Sequence, residues 1–216
     1  MNYKTIYEIL AHISSTSVLI PLFIAALNFK TFNTSLKVLF FYLCASGLTE
    51  LVSFTMAHQK MNNTLVFLAF TVIEYISFLS LYFIEIKTPA FKKFYFFMLF
   101  FFAAIFLLNI FYFGGIDRID TFSSTVESVV LIFTSIYYFY YILNNLHIPK
   151  LNQFYFFWIN SAILIYFSMS LCLFLFSQYI LQQNQFILRP LWIIHNISNI
   201  CFNLLIAKGI WVRRQA

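Results

Sequence analysis

The stretch FYFFMLFFFAAIFLLNIFYF, Phe94–Phe113, has no charged residue and a single amide, Asn109. A helix needs about 20 mostly apolar residues to cross the hydrocarbon core of a bilayer, and this segment supplies them. Six further stretches do the same: Tyr7–Phe29, Val38–Ala57, Thr64–Ile84, Phe122–Leu143, Phe154–Ile180 and Phe186–Trp211. Short polar or helix-breaking runs separate them, such as Lys30–Lys37, His58–Asn63, Lys87–Lys93 with Pro89, Gly114–Asp120, Asn144–Gln153 and Gln182–Gln185. Connections this short make neighbouring helices antiparallel. The sequence predicts an all-α membrane protein, a seven-transmembrane-helix bundle forming one domain over residues 1–216, with no internal repeat. Pro21 and Pro190 fall within or at the rim of spans, where a kink is tolerated in a bundle.

Composition excludes the other classes. The chain is 62% apolar, 22% aromatic and only 9% charged, where a soluble domain carries roughly 25% charge. Disorder requires the opposite balance. Cys44, Cys172 and Cys201 lie in apolar runs and are odd in number, which argues against a disulfide framework. The net charge of +6 is scattered singly, so no nucleic-acid face is expected. The 31 phenylalanines reflect AT-rich coding in part, and in the fourth span they suit a surface facing lipid or a partner. Tyr137, Tyr138, Tyr140 and Tyr141 read as an interfacial aromatic anchor.

Lysine and arginine set the orientation. Lys30, Lys37, Lys87, Lys92, Lys93, Lys150, Lys208, Arg213 and Arg214 fall on one side, and only Lys4, Lys60, Arg118 and Arg189 on the other. The expected arrangement has the N-terminus outside and the C-terminus in the cytoplasm. Glu8 and His12 in the first span argue against a cleavable leader.

Ionisable groups inside a span each cost about 2.5–3.5 kcal/mol on insertion scales and usually face the bundle interior. His12, Glu50, Glu74, Glu127, Arg189 and His195 all fall in the outer half at 1.5 Å rise per residue. Helical spacing aligns them with polar stripes: Tyr42, Ser46, Thr49, Glu50 and Ser53 in span 2; Thr71, Glu74 and Ser77 in span 3; Ser124, Glu127, Ser128, Thr134 and Ser135 in span 5; Arg189, Asn196, Asn199 and Asn203 in span 7. Span 4 has almost no polar face and is expected at the periphery. The stripes predict an outward-facing polar pocket. Interhelical hydrogen bonding by Asn160, Asn196, Asn199 and Asn203, and pairing of Arg189 with Glu127 or Glu50, are the structural alternatives.

Several chemistries can be weighed. His12, His195, Glu50, Glu74 and Glu127 are permissible zinc or manganese ligands, which would suit an intramembrane metal-dependent hydrolase. No two of them form a helix motif such as H-x-x-x-H, and the sequence requires no cofactor. A retinal lysine is absent from the middle of span 7, since Lys208 sits at the rim. A small transporter or membrane-complex subunit is another option, although no repeat suggests alternating access. Enzyme activity has no motif behind it.

The texts GLTELVSF at Gly47–Phe54 and EYISFLSLY at Glu74–Tyr82 resemble the seven-helix membrane sensing regions of bacterial sensor histidine kinases, which place a Glu in the second span and a Glu-Tyr in the third. The likeness covers about 35 residues. It implies that Glu50, Glu74 and Tyr75 are pocket residues. No dimerisation helix or kinase follows in this sequence, so output is expected to pass to a membrane partner, such as a separate histidine kinase. The resulting expectation is a sensory or accessory membrane protein that binds a small ligand or protons through Glu50, Glu74, Tyr75, Glu127, Arg189, His195, Asn196, Asn199 and His12.

Overall fold

The computed structural model describes the backbone of residues 3–112, 121–145, 150–183 and 185–215, and the side chains of 6–112, 122–145, 150–175 and 190–213. The described residues form eight α-helices: α1 (Tyr3–Ser17), α2 (Leu19–Asn28), α3 (Thr34–His58), α4 (Thr64–Glu85), α5 (Pro89–Tyr112), α6 (Thr121–Asn145), α7 (Tyr155–Gln183) and α8 (Gln185–Gln215). With α1 and α2 counted as one span, seven are long and apolar enough to cross a membrane. The protein is a multi-pass, all-α membrane protein.

The first span breaks at Val18, between α1 and α2, and the cause is Pro21. Proline has no N–H, so the carbonyl four residues earlier, that of Ser17, loses its helical donor. The side chains at the break are then used for packing. Asn199 Nδ2 donates to Ser14 Oγ (3.0 Å) and Asn203 Nδ2 to Ser17 Oγ (2.7 Å), tying α8 across the kink. By contrast α8 runs through Pro190 as one helix.

Two helices start earlier than their apolar runs. The side chain of Asn33 accepts from the Leu36 N–H (3.0 Å), so α3 begins at Thr34 rather than Val38. Pro89 occupies the first position of α5, where its missing N–H costs nothing, and Thr88 Oγ1 accepts from the Phe91 N–H (3.4 Å). Lys92 and Lys93 therefore lie on a helix, not in a loop.

Packing follows the polar stripes. Around the bundle α2 packs on α3, α3 on α4, α4 on α6, α6 on α7, α7 on α8, and α8 closes back on α1 and α2. The spans thus ring the interior in the order 1, 2, 3, 5, 6, 7. The α5 helix lies outside that ring, on α4 and α6, as its missing polar face predicts. Phe97, Phe100 and Phe111 stay exposed on it, while buried Asn109 ties it inward by donating to Ser123 Oγ (3.1 Å). The tyrosine run of α6 divides, correcting its reading as one interfacial anchor. Tyr138 is fully buried, 4.8 Å from the Phe156 ring, whereas Tyr137 and Tyr140 face outward. Neighbours in a helix point about 100° apart, so a four-residue run cannot share one face.

The α3–α4 turn carries one strained residue. Lys60 has φ 58°, its N–H donates to Ala57 O (3.1 Å), and the Met61 N–H donates to Met56 O (2.9 Å). This is the left-handed helix ending normally given to glycine, at a cost of roughly 1–2 kcal/mol for a side-chain-bearing residue. Lys60→Gly should raise the thermal midpoint in detergent by a few degrees. A lowered midpoint would contradict the strain.

Candidate ligand cavity

The α4 helix presents Thr71, Glu74, Phe78, Tyr82 and Glu85 inward at spacings of three and four, and around this stripe the interior divides into layers. The uppermost layer is a cavity of about 350 Å³. Its lining comes from the middle of α3 (Tyr42, Ser46, Thr49, Glu50), the first half of α4 (Thr71, Glu74), the first turns of α6 (Ser124, Glu127), the middle of α7 (Tyr166, Ser170, Phe174) and the first half of α8 (Trp192, His195, Asn199). Asn63 and Thr64 also line it, so the cavity reaches the end of the bundle that carries the α3–α4 connection.

Within it the Tyr42 hydroxyl donates to Glu74 Oε1 (2.8 Å), with both residues buried. Glu127 is 3% exposed. His195 stands between the Tyr166 and Trp192 rings, at 5.7 and 5.6 Å, and its Nδ1 is buried with no hydrogen-bond partner among the described residues. Asn199 has two duties, lining the cavity and donating to Ser14.

Below the cavity lies an aromatic floor. The Phe78 ring is 4.4 Å from Tyr42, 5.7 Å from Phe167 and 5.9 Å from Phe202, and all four residues are buried. Beneath the floor a buried polar knot joins three helices. The Tyr82 hydroxyl donates to Asn160 Oδ1 (2.7 Å) and lies 2.6 Å from Ser135 Oγ, while Asn160 Nδ2 donates to Ser135 O (3.2 Å). At the far rim Glu85 Oε1 accepts from Ser35 Oγ (2.5 Å) and the Tyr155 hydroxyl (2.7 Å), and Asn33 Nδ2 donates to that hydroxyl (2.7 Å).

Of the residues expected in a pocket, Glu50, Glu74, Glu127, His195 and Asn199 line this cavity together. Tyr75 does not. It is fully buried on the other side of α4, stacked on Phe102 at 4.0 Å, with its hydroxyl donating to Met98 O (3.0 Å). At about 100° per residue, the step from Glu74 to Tyr75 turns the side chain from the cavity toward α5. His12 is exposed on α1 and Asn196 half-buried on α8, and neither lines the cavity. The Arg189 side chain lies outside the described residues, and so does Asp117.

Among the described residues no three of His, Cys, Asp and Glu converge as metal ligands. The set of His12, His195, Glu50, Glu74 and Glu127 is therefore not assembled, because His12 is elsewhere and the others surround an open volume. Sequence reasoning missed the aromatic lining and Glu85. The rings were hidden by the abundance of phenylalanine, and Glu85 by its place at the end of a span. No protein-family model matches the chain, and no curated protein or solved structure matches it.

Proposed function

We propose that this is a sensory or accessory membrane protein that holds a small ligand in the cavity and passes the bound state to a membrane partner. The observation that carries this reading is the closed floor. A cavity that reaches one end of the bundle stops on buried Phe78, Phe167 and Phe202, with the Tyr82–Ser135–Asn160 knot beneath. A transporter would need a second route past these groups, whereas a binding protein does not. The volume lies at the small end of the range for small-molecule sites, about 300–1,000 Å³. The lysine and arginine bias favours an outward-facing cavity in an inner membrane. A separately encoded histidine kinase is the partner class implied by the sequence resemblance.

Cysteine substitution tests the reading, in a background with Cys44, Cys172 and Cys201 replaced. Methyl methanethiosulfonate should modify Ser46→Cys and Ser124→Cys in the cavity lining much faster than Ala162→Cys in the core. Lining cysteines as silent as Ala162→Cys would overturn the binding role. In intact cells a membrane-impermeant maleimide should reach Asn62→Cys and not Lys37→Cys. The reverse result would invert the orientation and leave the cavity in place.

A further inference from the structure

We infer that the cavity takes an amphiphile from the membrane through a cleft between the first two spans, with the polar end inside and the hydrocarbon chain left in the bilayer. This inference rests on the binding role proposed above and names the ligand class.

The cleft follows from the register of the two spans, which run antiparallel and meet at intervals of one heptad. At the lowest level the Phe29 and Phe40 rings are 4.7 Å apart. One heptad up, a Cβ built on Gly47 would lie 3.7 Å from Leu22 Cδ2. One heptad further the facing pair is Ser15 and Phe54, on nearly the same faces of their helices. There the contact is lost. Phe54 is 61% exposed, and among the described residues α1 packs on α8 and not on α3. The break at Val18 lies between the closed levels and the open one. Above it, the hydrogen bonds from Asn199 and Asn203 to Ser14 and Ser17 hold α1 to α8, so the first span leans away from α3.

The cleft meets the cavity. Every span of the ring except the first contributes to the lining, and no described residue of α1 or α2 does. Both neighbours of the first span take part, α3 through Glu50 and α8 through Asn199. The wall is therefore missing where α1 leans away. Gly47 is near the middle of the 25-residue α3, and Phe54 is about 10 Å further along it. The opening thus faces hydrocarbon, in the half of the bilayer core that holds the cavity. It lies above the aromatic floor and gives no path across the membrane.

The walls select the ligand. Phe54 supplies an apolar side, and opposite it the Ser15 hydroxyl is turned back on the His12 carbonyl (3.3 Å), a bond that spares it from water. A hydrocarbon chain fits between them. At the inner end Ser46, Thr49, Glu50 and Asn199 offer hydrogen bonds to a polar group. A cavity of about 350 Å³ is small for a whole lipid-like molecule. With the chain outside, it has only the polar end to hold.

The test uses the full chain in phosphatidylcholine liposomes, with Ser46→Cys as reporter in the background lacking the three native cysteines. Hexadecyl methanethiosulfonate, which stays in the bilayer, should modify Ser46→Cys within tenfold of its rate on Leu51→Cys, an exposed position of α3. It should react at least tenfold faster there than with Ala162→Cys in the core. Ser15→Trp, which fills the cleft, should lower the ratio of hexadecyl to methyl reagent rates at Ser46→Cys at least tenfold, and Phe54→Ala should raise it. Modification by the methyl reagent alone, or a ratio moved by neither variant, overturns the side entrance and leaves the binding role standing. Disulfide-linked dimers of Phe54→Cys in place of hexadecyl modification would make the cleft a contact between copies and overturn the entrance as well. Silence of Ser46→Cys toward both reagents overturns both proposals.

Discussion

Gly209→Leu should collapse the bundle's thermal midpoint, with a loss of about 3 kcal/mol or more. Gly209 lies where α8 meets α7. A Cβ placed on it would come within 3.0 Å of both Ile159 Cγ1 and the Tyr155 carbonyl oxygen, and within 3.4 Å of Trp158 Cβ. Close approach at small residues is how membrane helices gain packing energy without a hydrophobic drive between them. Overpacking a well-filled site costs about 1–3 kcal/mol, and more where the obstacle is rigid. Here the obstacle is a backbone carbonyl. Lys208, the preceding residue, sits 5.9 Å from the Trp158 ring, so a forced separation also removes a cation–π contact. Gly209→Ala needs a shift of only a few tenths of an ångström and gains roughly 1 kcal/mol of helix propensity, so it should stay close to the parent. All three tryptophans, Trp158, Trp192 and Trp211, lie on α7 and α8, and their fluorescence during thermal unfolding reads this seam. An unchanged midpoint in the leucine variant would refute the close approach.

Glu85→Ala should be nearly as damaging, and its effect should arise far from the cavity. One carboxyl oxygen of Glu85 accepts from Ser35 at the start of α3 and from Tyr155 at the start of α7. A single side chain thus ties three helices together at one rim. Hydrogen bonds to such a group contribute about 1–3 kcal/mol each, so the variant should lose about 3 kcal/mol after partial rehydration. Tyr155→Phe should lose less on its own, and adding it to Glu85→Ala should cost little more, because the two share an interaction. Detergent unfolding of the two single variants and the double variant measures this. Additive losses would mean that the contact is not the source. Modification of Ser46→Cys should be unaffected by Glu85→Ala below the melting range, since the aromatic floor separates the two layers.

The spans were legible because lipid imposes a length and a composition, and a run such as Phe94–Phe113 meets both. Helix ends were not, because Asn33 and Thr88 extend α3 and α5 by capping, a local effect stronger than hydropathy. The polar stripes put Glu50, Glu74, Glu127, His195 and Asn199 on the inward faces of their helices, and these residues line one cavity. Tyr75 was drawn in by adjacency within a short motif, and it packs instead on Phe102 and Met98 of α5. Glu85 escaped notice because a carboxyl at a span's end carries no insertion penalty that demands a role. The ring order was also hidden. The peripheral place of span 4 could be read from its missing polar face, but the packing of α4 on α6 depends on side chains such as Tyr82, Ser135 and Asn160 meeting across 53 and 78 positions of sequence.

The closure of the ring by α8 sets a timetable for biogenesis. Ser14 and Ser17 meet Asn199 and Asn203, partners 185 and 186 residues further on. Ribosomes add about 5–20 residues each second, so the first span waits in the bilayer for roughly 10–40 s before its last neighbour exists. During that interval α2 can pack on α3, and α4, α5 and α6 can assemble beside them, but α1 and the kink at Val18 have only lipid against them. Any factor that guards half-built membrane proteins would find its substrate there, at the open seam between α1 and α7.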